Sequence, residues 1–139
     1  MTVFEPSLDL QKCIRQRLLA SEQLLSLVQP DHLLDASGRP ERMPCVLIGE
    51  AQTVFSRFTS VSHATIHVWF AEPGMAQAKT AVSAIVAALR FDSQINGGVL
   101  VLDDFVCHDL SITQTRFMRD PHGPYSHAIV SVAAIMKEK

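Results

Sequence analysis

The alternation of apolar and polar positions is clearest between Ser62 and Arg90. In HATIHVWF, Ala64, Ile66, Val68 and Phe70 fall on one face, and His63, Thr65, His67 and Trp69 on the other. A period of two, rich in β-branched and aromatic residues, predicts a half-buried strand. Glu72-Pro73-Gly74 ends it, because Pro73 restricts the backbone and Gly74 frees it. From Met75 the period lengthens. Met75, Ala78, Val82, Ile85, Val86 and Leu89 recur at three- and four-residue steps, which is one face of a helix. The alanines between them favour helix and let it pack closely on a sheet. The rest of the chain reads as an extension of this strand–helix unit.

Upstream, Pro6-Ser7 opens a first helix, with Ser7 as N-cap and Asp9 adding negative charge to the first turn. Leu8, Leu10, Ile14, Leu18, Leu24, Leu25 and Val28 supply its apolar stripe, and Lys12, Arg15 and Arg17 lie on solvated faces. The pattern slips near Ala20-Ser21-Glu22, which fits a long helix followed by a short one capped by Ser21. Residues 30 to 44 form a proline-rich loop with room for a short strand at His32 to Asp35. Cys45 to Ile48 is a short apolar strand. Gly49 to Ser62 is polar and reads as a long hairpin-like connection, with Phe55 and Phe58 as anchors. This connection and Pro30 to Met43 are the expected mobile loops.

Downstream, Asp92 to Gly98 reads as a turn, Val99 to Leu102 as a short strand and Asp103-Asp104 as a second turn. Phe105 to Met118 is mostly strand, with Leu110, Ile112, Gln114, Arg116 and Met118 sharing a face opposite Thr113, Thr115 and Phe117. Asp120 to Pro124 is a turn. Tyr125 to Met136 is a strand apolar on both faces, hence central. The order predicts one α+β domain over residues 1–139, with helices packed on one face of a mainly antiparallel sheet.

Composition narrows the function. The chain is 47% hydrophobic and 19% charged, with a net charge of -2. That balance suits a folded domain and argues against binding nucleic acid by bulk electrostatics. Cys13, Cys45 and Cys107 are widely spaced and match no metal or disulfide framework, so buried thiols in a reducing compartment are expected. The N-terminus lacks a basic region followed by an apolar run, and no stretch approaches the roughly 20 apolar residues of a membrane span. A cytosolic protein is expected, with no membrane partner.

Candidate chemistry is sparse. There are six histidines, but His63 and His67, on one strand face, would sit roughly 13 Å apart, too far to share a metal. His108 and Asp109 are adjacent and would point to opposite faces. His122 and His127 flank a turn. No nucleophile elbow, dinucleotide fingerprint or phosphate loop is present, so no catalytic residue, metal site or cofactor is expected. The candidate interface residues are Trp69, large and on the polar face of its strand, and Arg116 and Arg119, near the last hairpin.

Four segments occur in an order that resembles the tail-completion, or tail-terminator, proteins of tailed phages, prophages and gene transfer agents. They are LLASEQLLSLV, MPCVLIGEAQ, HATIHVWFAEPGMAQAKTAVSAIVAAL and TRFMRDPHGPYSHAIVSVAAIM. The runs from His67 to Lys79 and from Arg116 to His127 are the most specific. Cys45 stands where the family usually has an aromatic residue. The resemblance implies a mixed-sheet sandwich with helices on one side, and a structural, non-enzymatic protein. It also implies a homo-oligomeric ring, typically of six subunits, that caps the tail tube and joins it to the head-completion, or stopper, protein. Such a protein would assemble in the cytoplasm and end at the head–tail junction of a virion or transfer particle, with no sequence-specific nucleic-acid contact. The competing reading is a small cytosolic hydrolase or ligand-binding domain using His and Asp side chains.

Overall fold

The structure is a computed structural model that describes residues 3–36, 40–72, 74–90, 99–121 and 123–139. Helices α1 (Ser7–Leu19) and α2 (Glu22–Leu25) lead through a 3-10 turn (Pro30–His32) into strand β1 (Leu33–Leu34). Strands β2 (Cys45–Phe55) and β3 (Ser60–Phe70) precede α3 (Ala76–Leu89), and β4 (Leu100–Val101), β5 (Phe105–Arg119) and β6 (Ser126–Glu138) complete the chain. The strands form one sheet in the order β1-β2-β3-β6-β5-β4. β1 runs parallel to β2, and every other neighbour is antiparallel. This is the predicted α+β arrangement, with a mixed sheet.

Alternation in β3 and β6 decides which face the helices cover. Ala64, Ile66, Val68 and Phe70 of β3 and Ala128, Val130, Val132, Ala134 and Met136 of β6 are buried against Leu10, Ile14 and Leu18 of α1 and Ala78, Ala81, Val82, Ile85 and Leu89 of α3. The small alanines of α3 let the helix lie close on the sheet. β6 is central, between β3 and β5, as its two apolar faces predict. The split into α1 and α2 also holds, and Ser21 caps α2 by accepting the Leu24 N–H at 3.1 Å.

Several expectations are corrected. Ser7 is not the N-cap of α1. Pro6 holds that position without a side-chain cap, and Glu5 accepts the Ser7 N–H at 2.6 Å. Leu8 is exposed, while Cys13 takes a place in the buried stripe. Asp9 lies in the first turn of α1 as expected, but it is also buried and accepts the N–H groups of Asp104 and Phe105 at 2.7 and 3.1 Å. Arg17 Nη1 donates to the Ala88 and Arg90 carbonyls at 3.3 and 3.4 Å, complementing the negative end of α3.

Gly49 to Ser62 is not a long connection. β2 continues to Phe55, and only residues 56–59 join it to β3. A bulge between Ile48 and Ala51 shifts the register, and beyond it β2 lies mostly outside the helix layer, so its apolar alternation fades. Two bulges, between Cys107 and Asp109 and between Ile112 and Gln114, likewise divide β5. Each inserts a residue and switches the face of all that follow. Thr115 and Phe117 therefore join Leu110 and Ile112 on the helix side, and Gln114, Arg116 and Met118 turn to the open side. The turn expected at Asp92 to Gly98 and His122 lie outside the described residues.

Candidate functional site

The open face of the sheet carries its densest polar cluster near the start of β2. Across β2, β3, β6 and β5, one row runs Cys45, Trp69, His127, Met118, and the next runs Leu47, His67, Ile129, Arg116. His67 and His127 are thus diagonal neighbours, close enough for side chains to meet. His67 Nδ1 lies 2.8 Å from His127 Nε2, and His67 Nε2 lies 2.9 Å from Glu50 Oε2. The His127 ring stacks on Trp69 with centroids 3.9 Å apart and an angle of 11°. Trp69, Cys45 and Leu47 form a small second core, flanked by Met43 and Tyr125.

Hydrogen-bond directions follow from the donors available. With both rings neutral, His67 donates from Nε2 to Glu50 and accepts at Nδ1 from His127 Nε2–H. A proton added to His67 is also accommodated, between the carboxylate and a neutral His127. A second proton is not, because the two facing nitrogens would then both be donors. Accordingly, burial and then the neighbouring His67 charge lower the His127 pKa to about 4, against smaller opposing effects of Asp120 and Glu50. The hydrogen bond from His67 holds the Glu50 carboxyl below its ordinary value.

Gly49 is built into this arrangement. A Cβ there would lie 3.1 Å from His67 Cδ2 and 3.3 Å from Nε2, a tight contact to which the His67 ring would have to yield by a few tenths of an ångström. Trp69 Nε1 is buried and has no acceptor among the described residues. Among the described residues, no three His, Cys, Asp or Glu side chains group as a metal-ligand set. The cluster is a hydrogen-bonded chain of polar side chains linking β2, β3 and β6.

The three interface candidates are placed differently. Trp69 is only 7% exposed, held beneath His127 and the β2 entry. Arg116 is exposed on the open face, one strand beyond Ile129, and Arg119 is exposed opposite Ser126, on the helix side. Arg119 borders a shallow cavity of about 430 Å³ with Asp120, Pro124 and Tyr125. Trp69 and Arg116 therefore share a face, and Arg119 does not. His108 is exposed and Asp109 half-buried, at the bulge. Glu50, His67 and His127 are the residues that sequence reasoning missed. Both histidines alternate correctly, but nothing in the chain states the β3–β6 register that joins them.

Comparison with known proteins now bears on this geometry. Residues 12–137 match the family model described as Tail completion protein gp17. The chain belongs to that family. This tail-completion protein is thus a structural part of tail assembly, and the competing hydrolase reading finds no support in the family or the fold. A chain of the solved structure "Virion of native gene transfer agent (GTA) particle" is similar in shape, with a TM-score of 0.79 at 22% identity over 97% of this chain and 99% of that one. At that identity the likeness establishes the shared fold. No curated protein matches the tail-completion chain in sequence. Among its described residues, no helix is long and apolar enough to cross a membrane.

Proposed function

We propose that this tail-completion protein is a tail terminator: one domain over residues 1–139 that assembles as a homo-oligomeric ring, of six subunits, on the end of a completed tail tube. The ring contacts the tail tube protein on one side and a head-completion, or stopper, protein on the other. It forms in the cytoplasm and remains at the head–tail junction of a phage, prophage-derived or gene transfer agent particle. Its role is mechanical and involves no catalysis, metal, membrane or sequence-specific nucleic acid.

The observation that carries this reading is the family match across residues 12–137. The fold likeness to a chain in a gene transfer agent virion supports it. A ring above a dimer needs two different patches per subunit, and the sheet offers two unlike edges, where β2 and β5 run beyond the two-residue strands β1 and β4. Arg116 and Arg119 are the exposed cations we assign to contacts between subunits or with the tube. Trp69 serves the open face, which it shares with Arg116, from below, by fixing His127 and the β2 entry.

The test is genetic. Particles assembled without the protein are expected to show heads and tails apart, with tubes of uncontrolled length, and resupplying it should restore joined particles of uniform tail length. Normal joined particles in its absence contradict the reading.

A further inference from the structure

The two sheet edges are each covered only in part, and at opposite ends. β1 pairs with β2 only at Val46 and Leu47. Among the described residues, no strand pairs with the outer edge of β2 from Ile48 to Phe55. At the other edge, β4 pairs with β5 only at Val106 and Cys107, which leaves the edge from Asp109 to Arg119 without a described strand. Phe105 pairs with Glu138 and Phe55 with Ser60, which pairs with Met136. The open part of β2 is therefore at the end of the sheet where β5 begins, and the open part of β5 is at the end where β2 begins.

From this geometry we infer that the open edge of β2 in one subunit pairs antiparallel with the open edge of β5 in a second copy of this chain. The inference rests on the ring reading above and names its joint.

Polarity is the first support. β2 and β5 run in opposite directions within the sheet, since three antiparallel steps separate them. A second copy placed beside the first with the same face outward therefore presents β5 antiparallel to β2, the pairing the other long strands use. Offset is the second. Bringing the two open stretches side by side slides one subunit along the strand direction by part of a strand length. The β1 stub then abuts the end of the neighbour's β5, and the neighbour's β4 stub abuts the end of β2. Closing a sheet around an axis requires such a stagger, with strands tilted to that axis.

Side chains are the third. Regular pairing resumes after the bulges at Ala51 to Phe55 in β2 and Gln114 to Arg119 in β5. Because a one-residue slip would exchange the faces, antiparallel pairing sets Ala51 against Phe117 and Thr53 against Thr115, with Arg116 opposite Gln52 and Gln114 diagonal to Gln52. On the open side, Arg116 then approaches the Glu50 end of β2, pairing opposite charges. At the far end, the exposed Val54, Phe55 and Phe58 of the hairpin tip meet the exposed Val99 and Val101 around the neighbour's β4. These are otherwise solvent-facing apolar groups, at an edge of the kind that proteins usually blunt or pair.

The test is cross-linking between exposed, open-face positions. The native cysteines are buried, so we use Gln52→Cys and Gln114→Cys, singly and together, with a short bismaleimide, in concentrated solution and on tail tubes. The double variant should give a covalent ladder of dimer, trimer and larger species in at least one setting. Each single variant should stay monomeric, because a head-to-tail joint never brings the same residue of two copies together, and a mixture of the two should stop at dimer. A double variant without a ladder in either setting, or single variants that dimerise alone, overturns the inference. Capped tubes without a ladder reject this joint and leave the terminator reading standing. A ladder with uncapped tubes keeps the joint and rejects the terminator.

Discussion

At the residue scale, the polar cluster on the open face ties stability to pH. Unfolded, His127 takes up a proton near its ordinary value of 6.5; folded, it stays neutral down to about 4. Between those values the unfolded chain binds more protons, so stability falls as pH falls across that window and is unaffected above it. The loss is about 1–2 kcal/mol once solvent on the outer side of the ring is allowed for. Glu50, held low by His67, acts in the same direction at lower pH. Urea midpoints near pH 7 and near pH 4.5 check this. His127→Gln should remove most of the difference between them, and an unchanged difference counts against it. Gly49→Ala should cost about 1–3 kcal/mol, as overpacking against the His67 ring does, and should shift the His67 ring signals in an NMR spectrum. The histidines were legible as members of a polar strand face. Their contact was not, because it depends on the register of strands distant in sequence, and Glu50 reaches them only through a bulge.

At the element scale, the period-two and 3.6-residue patterns identified β3, α3 and β6 because each of these elements buries a full face against the others. Val130 and Ile85 are both fully buried at that contact. Val130→Asp and Ile85→Asp each place an unpaired charge there, at a cost of several kcal/mol against a total of roughly 5–15. We expect no cooperative melting transition in either variant, and a near-normal one means the core lies elsewhere. Asp9 joins elements that propensity does not connect. It ties the first turn of α1 to the start of β5 through two backbone N–H groups. Asp9→Ala orphans both and should cost about 2–3 kcal/mol by thermal or urea unfolding. Its position read as an ordinary helix-start charge, since a carboxylate there has a local explanation already. β2 and β5 were misread for a common reason. Bulges interrupt their alternation, and beyond the bulges the side chains face solvent more than core.

At the scale of the whole molecule, α+β layering follows from the order of patterned segments, and the family follows from the segments between His67 and Lys79 and between Arg116 and His127. The pattern did not show how the short strands sit. Leu33 is part of the main core at 1% exposure, and β1 and β4 each shield one end of an edge strand. Those partial covers leave the two unlike edges from which a ring can be built. The central claim is that this protein closes the end of a tail tube. The measurement that bears on it most directly is imaging of completed tail tubes mixed with the purified protein, whether or not the free protein is a monomer. We expect a ring of defined six-fold symmetry at one end of each tube. Tube ends that stay bare, or that carry the protein in no ring of defined symmetry, would contradict it.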